Sequence, residues 1–192
     1  MKTIINTVVV LLIVATNSSI AQEVKTSEKH GNTLNIGIGT GYYGYAANSL
    51  PLTINYEFDV AKDLTLAPFI SIYSSRSNYY WGNPNKPYYD PSYRSYSYRS
   101  TYIPIGVKGT YYFDRLLEAG AKWDFYAAAS LGFVYKRVVW ENDYAGNRNL
   151  YNNYNPLYLD AHVGAEYHIT NKAGIFLDLS TGVSSIGLAL HL

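Results

Sequence analysis

The stretch Leu157-Tyr158-Leu159-Asp160-Ala161-His162-Val163-Gly164-Ala165-Glu166-Tyr167-His168-Ile169 alternates almost without a break between two kinds of side chain. Leu157, Leu159, Ala161, Val163, Ala165, Tyr167 and Ile169 form one set; Tyr158, Asp160, His162, Gly164, Glu166 and His168 form the other. Successive side chains on a strand point to opposite faces, so one face of this segment is apolar and the other is polar, charged or small. A half-buried soluble sheet sustains such a pattern for a few residues only. A run of thirteen is what a strand that crosses a bilayer at a tilt needs.

The same period recurs along the chain, and counting it between turn signals predicts eight strands. They cover about 33–43, 51–59, 64–75, 101–113, 123–140, 157–169, 173–181 and 186–192. In the second, Leu52, Ile54, Tyr56 and Phe58 oppose Thr53, Asn55, Glu57 and Asp59; in the fourth, Ile103, Ile105, Val107 and Tyr111 oppose Pro104, Gly106, Lys108 and Thr110. The links alternate as well. Those at 44–50, 76–100, 141–155 and 182–185 include two long ones, whereas 60–63, 114–122 and 170–172 are fairly short. An even strand number with short turns at one end and longer loops at the other is the plan of a bacterial transmembrane barrel. Aromatic residues gather near both strand ends, Tyr42, Tyr45, Tyr73, Tyr102 and Trp140 at the long-loop end and Tyr56, Phe58, Tyr111, Phe113, Trp123 and Tyr167 at the other. Two such belts suit two headgroup layers. The expected fold is all-β: a closed, eight-stranded, antiparallel, up-and-down transmembrane β-barrel. Pro68 and Pro104 fall inside strands of a barrel that has no edge, which predicts a bulge or a bend at each.

Residues 1–21 read as an export signal. Lys2 is followed by the apolar Val8–Val14, too short to span a bilayer as a helix, and Ser19-Ile20-Ala21 supplies small residues for cleavage after Ala21. Residues 22–32 are then a short periplasmic segment and 33–192 the barrel, about 170 residues in a single domain. The absence of cysteine removes disulfides, thiolate metal sites and lipid attachment to a cysteine. Charged residues are 15% of the chain and the formal net charge is +1, which argues against nucleic acid as a partner. Twenty-two tyrosines, three tryptophans and fifteen glycines favour strands with amphipathic rings at an interface.

Several segments carry a family resemblance: Tyr102-Ile103-Pro104-Ile105-Gly106-Val107-Lys108, then Tyr111-Tyr112-Phe113, Trp123-Asp124-Phe125-Tyr126, and the glycine that follows Ser130-Leu131. In these the chain resembles the small outer-membrane β-barrel proteins (porin-family, OmpA/OmpX-like) of Gram-negative bacteria. The resemblance implies an outer-membrane location and says little about activity, because fold does not fix function. Leu192 departs from the phenylalanine with which many such barrels end.

The polar faces are where chemistry would sit. An eight-stranded barrel is just wide enough to be filled by side chains, so Glu57, Lys108, Asp160, His162, Glu166 and Asp178 are expected to form an interior polar network with paired charges. A narrow water path through the same residues is the alternative. A metal site of His162, Glu166 and His168 would need ligands from neighbouring strands, since alternate residues on one strand stand nearly 7 Å apart. Catalysis would need a serine beside a histidine and an acid; Ser130 and Ser180 lie on other strands than His162, and no G-x-S-x-G is present. The expectation is therefore no catalytic centre, no metal and no cofactor.

The 76–100 link is the other informative region. Tyr79, Tyr80, Trp81, Tyr88, Tyr89, Arg94 and Tyr96 are residue types that dominate binding surfaces, and Asp90 is the one acid among them. They form either a surface for an extracellular protein or glycan, or an extension of the third and fourth strands above the membrane. Expected partners are outer-membrane lipid and lipopolysaccharide, for a monomer that has a structural or surface-interaction role. Three other functions compete: a narrow channel for small solutes or hydrophobic compounds, a lipid-modifying barrel enzyme, and a secreted lipocalin-like carrier with the faces reversed.

Overall fold

The computed structural model describes residues 30–41, 49–81, 94–113, 117, 122–140, 148–149 and 154–192. Their strands are β1 (Thr33–Gly41), β2 (Leu52–Ala61), β3 (Leu64–Trp81), β4 (Arg94–Tyr112), β5 (Trp123–Trp140), β6 (Leu157–Thr170), β7 (Ala173–Ser180) and β8 (Val183–His191). Each pairs antiparallel with the next, and β1 closes on β8 from Thr33↔His191 to Gly41↔Val183. Closure gives every strand a neighbour on both sides around the ring, as a barrel in lipid requires; among the described residues, the upper ends of β3 and β4, beyond Leu52↔Ile72 and Tyr98↔Trp140, pair with each other alone. The β2–β3 hairpin turns on Lys62-Asp63 alone, with Asp63 at φ 57°, in the left-handed region that so short a turn demands. The export signal, its cleavage point after Ala21, and Tyr42, Tyr45, Tyr88 and Tyr89 lie outside the described residues.

Two expectations about the strands are corrected. First, β3 and β4 are longer than 64–75 and 101–113, for their ladder runs from Leu64↔Tyr111 up to Trp81↔Arg94. The Ser95-Tyr96-Ser97-Tyr98 segment has the strand period, but tyrosine and serine are both polar, so the contrast that marks a membrane strand is missing there. Second, neither proline makes a bulge. The β2–β3 register passes from Asn55↔Phe69 to Phe58↔Leu66 across Pro68, and β3–β4 passes from Ile70↔Ile105 to Tyr73↔Tyr102 across Pro104, both without a shift. Each proline keeps its other neighbour, Pro68↔Val107 and Pro104↔Val134, so the cost is a local gap in one ladder. The register shifts fall instead at Asp59/Ala61 and His168/Thr170, beside the short turns.

Alternation sorts the side chains. Outward on β6, Leu159 is 67% and Val163 59% exposed, whereas Asp160 and Glu166 between and beyond them are buried. Leu131 and Phe133 on β5, Leu177 and Leu179 on β7, and Ile186 and Leu188 on β8 continue the exposed apolar face, and Ile36, Ile38, Leu52, Ile54, Ile70, Ile72, Ile105 and Val107 complete the circuit. A belt this continuous is far beyond the scattered apolar residues of a soluble surface. The polar set lines the interior, which overturns the lipocalin-like alternative with its apolar lumen. Along β6 the apolar face spans roughly 40 Å of strand, or about 30 Å of height at the usual barrel tilt, enough for a hydrocarbon core. At the short-turn end Tyr56, Tyr111 and Trp123 are exposed, and Trp123 packs on Tyr167 with ring centroids 4.9 Å apart. Tyr73 and Tyr102 do not join an outer belt. Both are buried in the lumen with Val134 and Val183, stacked at 5.5 Å.

Small residues make room for this filling. A Cβ added at Gly164 would overlap the Tyr126 ring, which is itself buried. Gly164→Ala should therefore destabilise the folded barrel by about 1–3 kcal/mol, the usual cost of overpacking, read as a lower urea midpoint at unchanged slope.

Candidate functional site: the barrel interior and its long-loop rim

The six candidate residues of the interior are all buried or lumen-facing, but they fall into three groups rather than one network. Near the short-turn end, Glu57 on β2 accepts from Tyr112 Oη at 2.7 Å, from Asn35 Nδ2 at 3.2 Å and from Thr65 Oγ1. Asn35 also donates to Asn55 Oδ1 at 3.0 Å. This group ties β1, β2, β3 and β4.

In mid-barrel, Lys108 Nζ on β4 meets Asp178 Oδ2 on β7 at 2.7 Å, bridging the lumen between strands far apart in the ring. Tyr126 Oη donates to the same oxygen at 3.1 Å, and Lys108 Nζ sits 4.8 Å from the Tyr126 ring centre. His162 Nδ1 lies 2.7 Å from Asp178 Oδ1, and its Nε2 lies 2.9 Å from Ser130 Oγ. That is the order of a serine nucleophile, a base and an orienting acid. The register explains the meeting: Ser130 stands opposite Asp160 and Gly164 opposite Asp178, so His162 reaches both along the barrel's diagonal. The adjoining cavity, lined by Lys108, Ser130, His162 and Asp178 among others, holds about 40 Å³. That admits two or three waters and no acyl chain. Asp178 is moreover shared with a lysine and a tyrosine. Chemically the trio can hold water and pass protons.

Asp160 joins this group from the long-loop side, its Oδ2 3.8 Å from His162 Nε2, and accepts from Thr181 Oγ1 at 2.7 Å, Gly182 N at 2.8 Å, Tyr158 Oη at 3.0 Å and Ser180 Oγ at 3.1 Å. It caps the β7–β8 turn. Glu166 belongs to the third group, at the short-turn mouth, where His191 Nε2 lies 2.8 Å from its Oε1. His162 is thus not brought together with Glu166 and His168, as the metal site weighed against the expectation of none would need. His191, on β8, takes that place.

The long-loop rim carries those aromatic candidates that lie among the described residues. Tyr79 and Tyr96 are cross-strand partners on the extended β3–β4 ladder, on which Tyr80, Trp81 and Arg94 also lie. Trp140 of β5 joins them, with its ring centroid 5.9 Å from Tyr79 and 5.1 Å from Tyr98. On the outward face at the long-loop edge of the apolar belt stand three exposed arginines, with the exposed Val139 among them opposite Arg99. Arg76 is opposite Arg99, and Arg137 is opposite Thr101, diagonal to Arg99. The sequence offered no single motif for this trio, since its members come from three strands and meet only through register.

No protein-family model and no curated protein matches the chain. Among solved structures it is similar to Neisserial surface protein A at 14% identity and a TM-score of 0.48, covering 84% of this chain and 96% of that one. It is also similar to a de novo designed transmembrane β-barrel (13%, TM-score 0.47, 86% and 98% covered) and to the Yersinia pestis outer-membrane protein Ail (9%, TM-score 0.45, 84% and 99% covered).

Proposed function

We propose that the chain is an exported outer-membrane β-barrel protein, its leader removed after Ala21, that stabilises the membrane and interacts at the cell surface without a catalytic centre. The observation that carries this reading is the trio Arg76, Arg99 and Arg137 at the long-loop edge of a continuous apolar belt. Guanidinium groups at that level face the headgroup layer, where the phosphates of lipopolysaccharide would pair with them. The extended β3–β4 ladder with Tyr79, Tyr96 and Tyr98 then rises beyond the headgroups toward an extracellular protein or glycan. The absence of catalysis is favoured by the water-sized cavity at Ser130 and His162, and a narrow channel is disfavoured by the Lys108–Asp178 bridge across the lumen.

Basic residues near an anionic surface contribute about 1 kcal/mol each, so replacing all three should weaken lipopolysaccharide binding by roughly 100-fold. Wild-type protein folded in detergent should gain thermal stability on addition of lipopolysaccharide, and the Arg76→Gln/Arg99→Gln/Arg137→Gln variant should lose most of that gain. A variant that keeps the full gain would remove lipopolysaccharide from this face. Recovery of the native protein in a soluble fraction, with no mobility difference between unboiled and boiled samples, would overturn the membrane assignment itself.

A further inference from the structure

The short-turn mouth of the barrel gathers three of the chain's four histidines, His30, His168 and His191, around Asp124 and Glu166. Glu166 and His168 are alternate residues of β6 and point into the lumen. His191 comes from β8, beyond β7. The gap is bridged because β7 presents Gly174 there, opposite His168 on one side and Ala189 on the other. A Cβ at Gly174 would collide with the Glu166 carboxylate. Only a residue without a side chain lets that carboxylate cross β7 to reach β8.

Three ligand atoms converge as a result. Glu166 Oε1 is 2.8 Å from His191 Nε2 and 4.0 Å from His168 Nδ1, and all three lie within 4.8 Å of one another. Ligands at bond lengths of ~2.0–2.1 Å around a tetrahedral ion stand about 3.3 Å apart, so rotations within the side chains suffice to enclose one. A hydrogen bond accounts for the His191–Glu166 contact. It does not account for His168, whose Nδ1 faces the same oxygen at a distance too long for a hydrogen bond.

The outer ring nitrogens supply the second argument. His168 Nε2 is held by Asp124 Oδ2 at 2.8 Å, and that carboxylate is also 3.5 Å from His30 Nδ1. His191 Nδ1 is 3.0 Å from Thr33 Oγ1, whose hydroxyl donates to the His30 carbonyl at 3.2 Å and so keeps a lone pair for the imidazole N–H. Each imidazole thus has its far nitrogen fixed by an oxygen and its near nitrogen turned to the carboxylate. That is the outer-shell arrangement by which metal-binding histidines are oriented. The two rings also stack, centroids 4.9 Å apart at 23°.

We propose that Glu166, His168 and His191 bind a first-row divalent transition ion, with zinc as the natural probe, leaving a fourth position open to water. The mouth is partly exposed, His168 at 22% and His191 at 17% of their side chains, so an ion can enter from that end.

The test uses the untagged mature chain, from residue 22 onward, folded in detergent and stripped with a chelator. Calorimetric titration should give one Zn²⁺ per chain at micromolar affinity or tighter. His191→Gln retains an N–H donor for Glu166 but removes the imidazole, and should bind Zn²⁺ at least 100-fold more weakly while migrating as a folded barrel. Asp124→Asn, acting through His168, should weaken binding 10–100-fold. His162→Gln should leave affinity unchanged. In the wild type, Zn²⁺ should protect His168 and His191, but not His162, from diethyl pyrocarbonate, a readout that does not depend on any variant folding. Absence of saturable Zn²⁺ binding, wild-type affinity in His191→Gln, or equal modification of all three histidines with and without Zn²⁺ would each overturn the site.

Discussion

Val163→Arg should cost the inserted barrel about 2–4 kcal/mol, and Leu159→Arg somewhat less, because the penalty for a charge on the lipid face is largest at the bilayer midplane. Val163 lies at the middle of β6, between Ala127 of β5 and Leu179 of β7, and Leu159 lies nearer the long-loop end beside Leu131. An arginine at Leu159 can extend its guanidinium toward the rim, whereas one at Val163 has the longest way to go. The measurement is reversible urea unfolding in lipid vesicles, with both variants compared to wild type. Equal, near-zero losses would mean that the exposed apolar belt does not face hydrocarbon, and the membrane placement would fall with it. A large loss for Val163→Arg and a small one for Leu159→Arg would also locate the midplane along β6.

The strands and their faces were legible because one physical demand shapes them: lipid outside and a narrow polar lumen inside force a period of two that survives in single letters. β5 and β6 were read to within a residue on that basis. Where the demand lapses, so does the signal. Above the membrane, the Tyr-Ser alternation of β4 has no apolar side to betray it, so the pattern places the start of the strand seven residues late. Tyr73 and Tyr102 misled in the opposite way, since a tyrosine serves equally at a headgroup belt or as lumen filling. The interior contacts were the least legible. Which inward residues meet depends on stagger between strands, and that stagger decided that His162 joins Ser130 and Asp178 while His191 joins Glu166. The sequence holds one clue to the latter, Gly174, but its meaning requires knowing that β7 separates the two strands that must touch.

The interior pairing is open to an equally sharp test at Lys108 and Asp178. Their side chains are only 10% and 5% exposed, and the carboxylate serves three groups at once: Lys108, Tyr126 and His162. Removing one member of a buried pair leaves a charge without its counterpart, at a cost of about 3–5 kcal/mol. The two single variants should not be equal, however. Lys108→Met leaves Asp178 with two hydrogen-bond partners, whereas Asp178→Leu strips Lys108 of its counter-charge, Tyr126 of its acceptor and His162 of the oxygen that orients it toward Ser130. Asp178→Leu should therefore be the more damaging in urea unfolding. The double variant Lys108→Met/Asp178→Leu should be clearly more stable than the sum of the two losses implies, since it leaves neither charge stranded and packs apolar groups across the gap. If the losses simply add, the lumen is wet enough there to solvate each charge separately. The bridge between β4 and β7 would then be a contact without consequence, and the reading of this lumen as a closed, side-chain-filled plug would have to yield to a hydrated path.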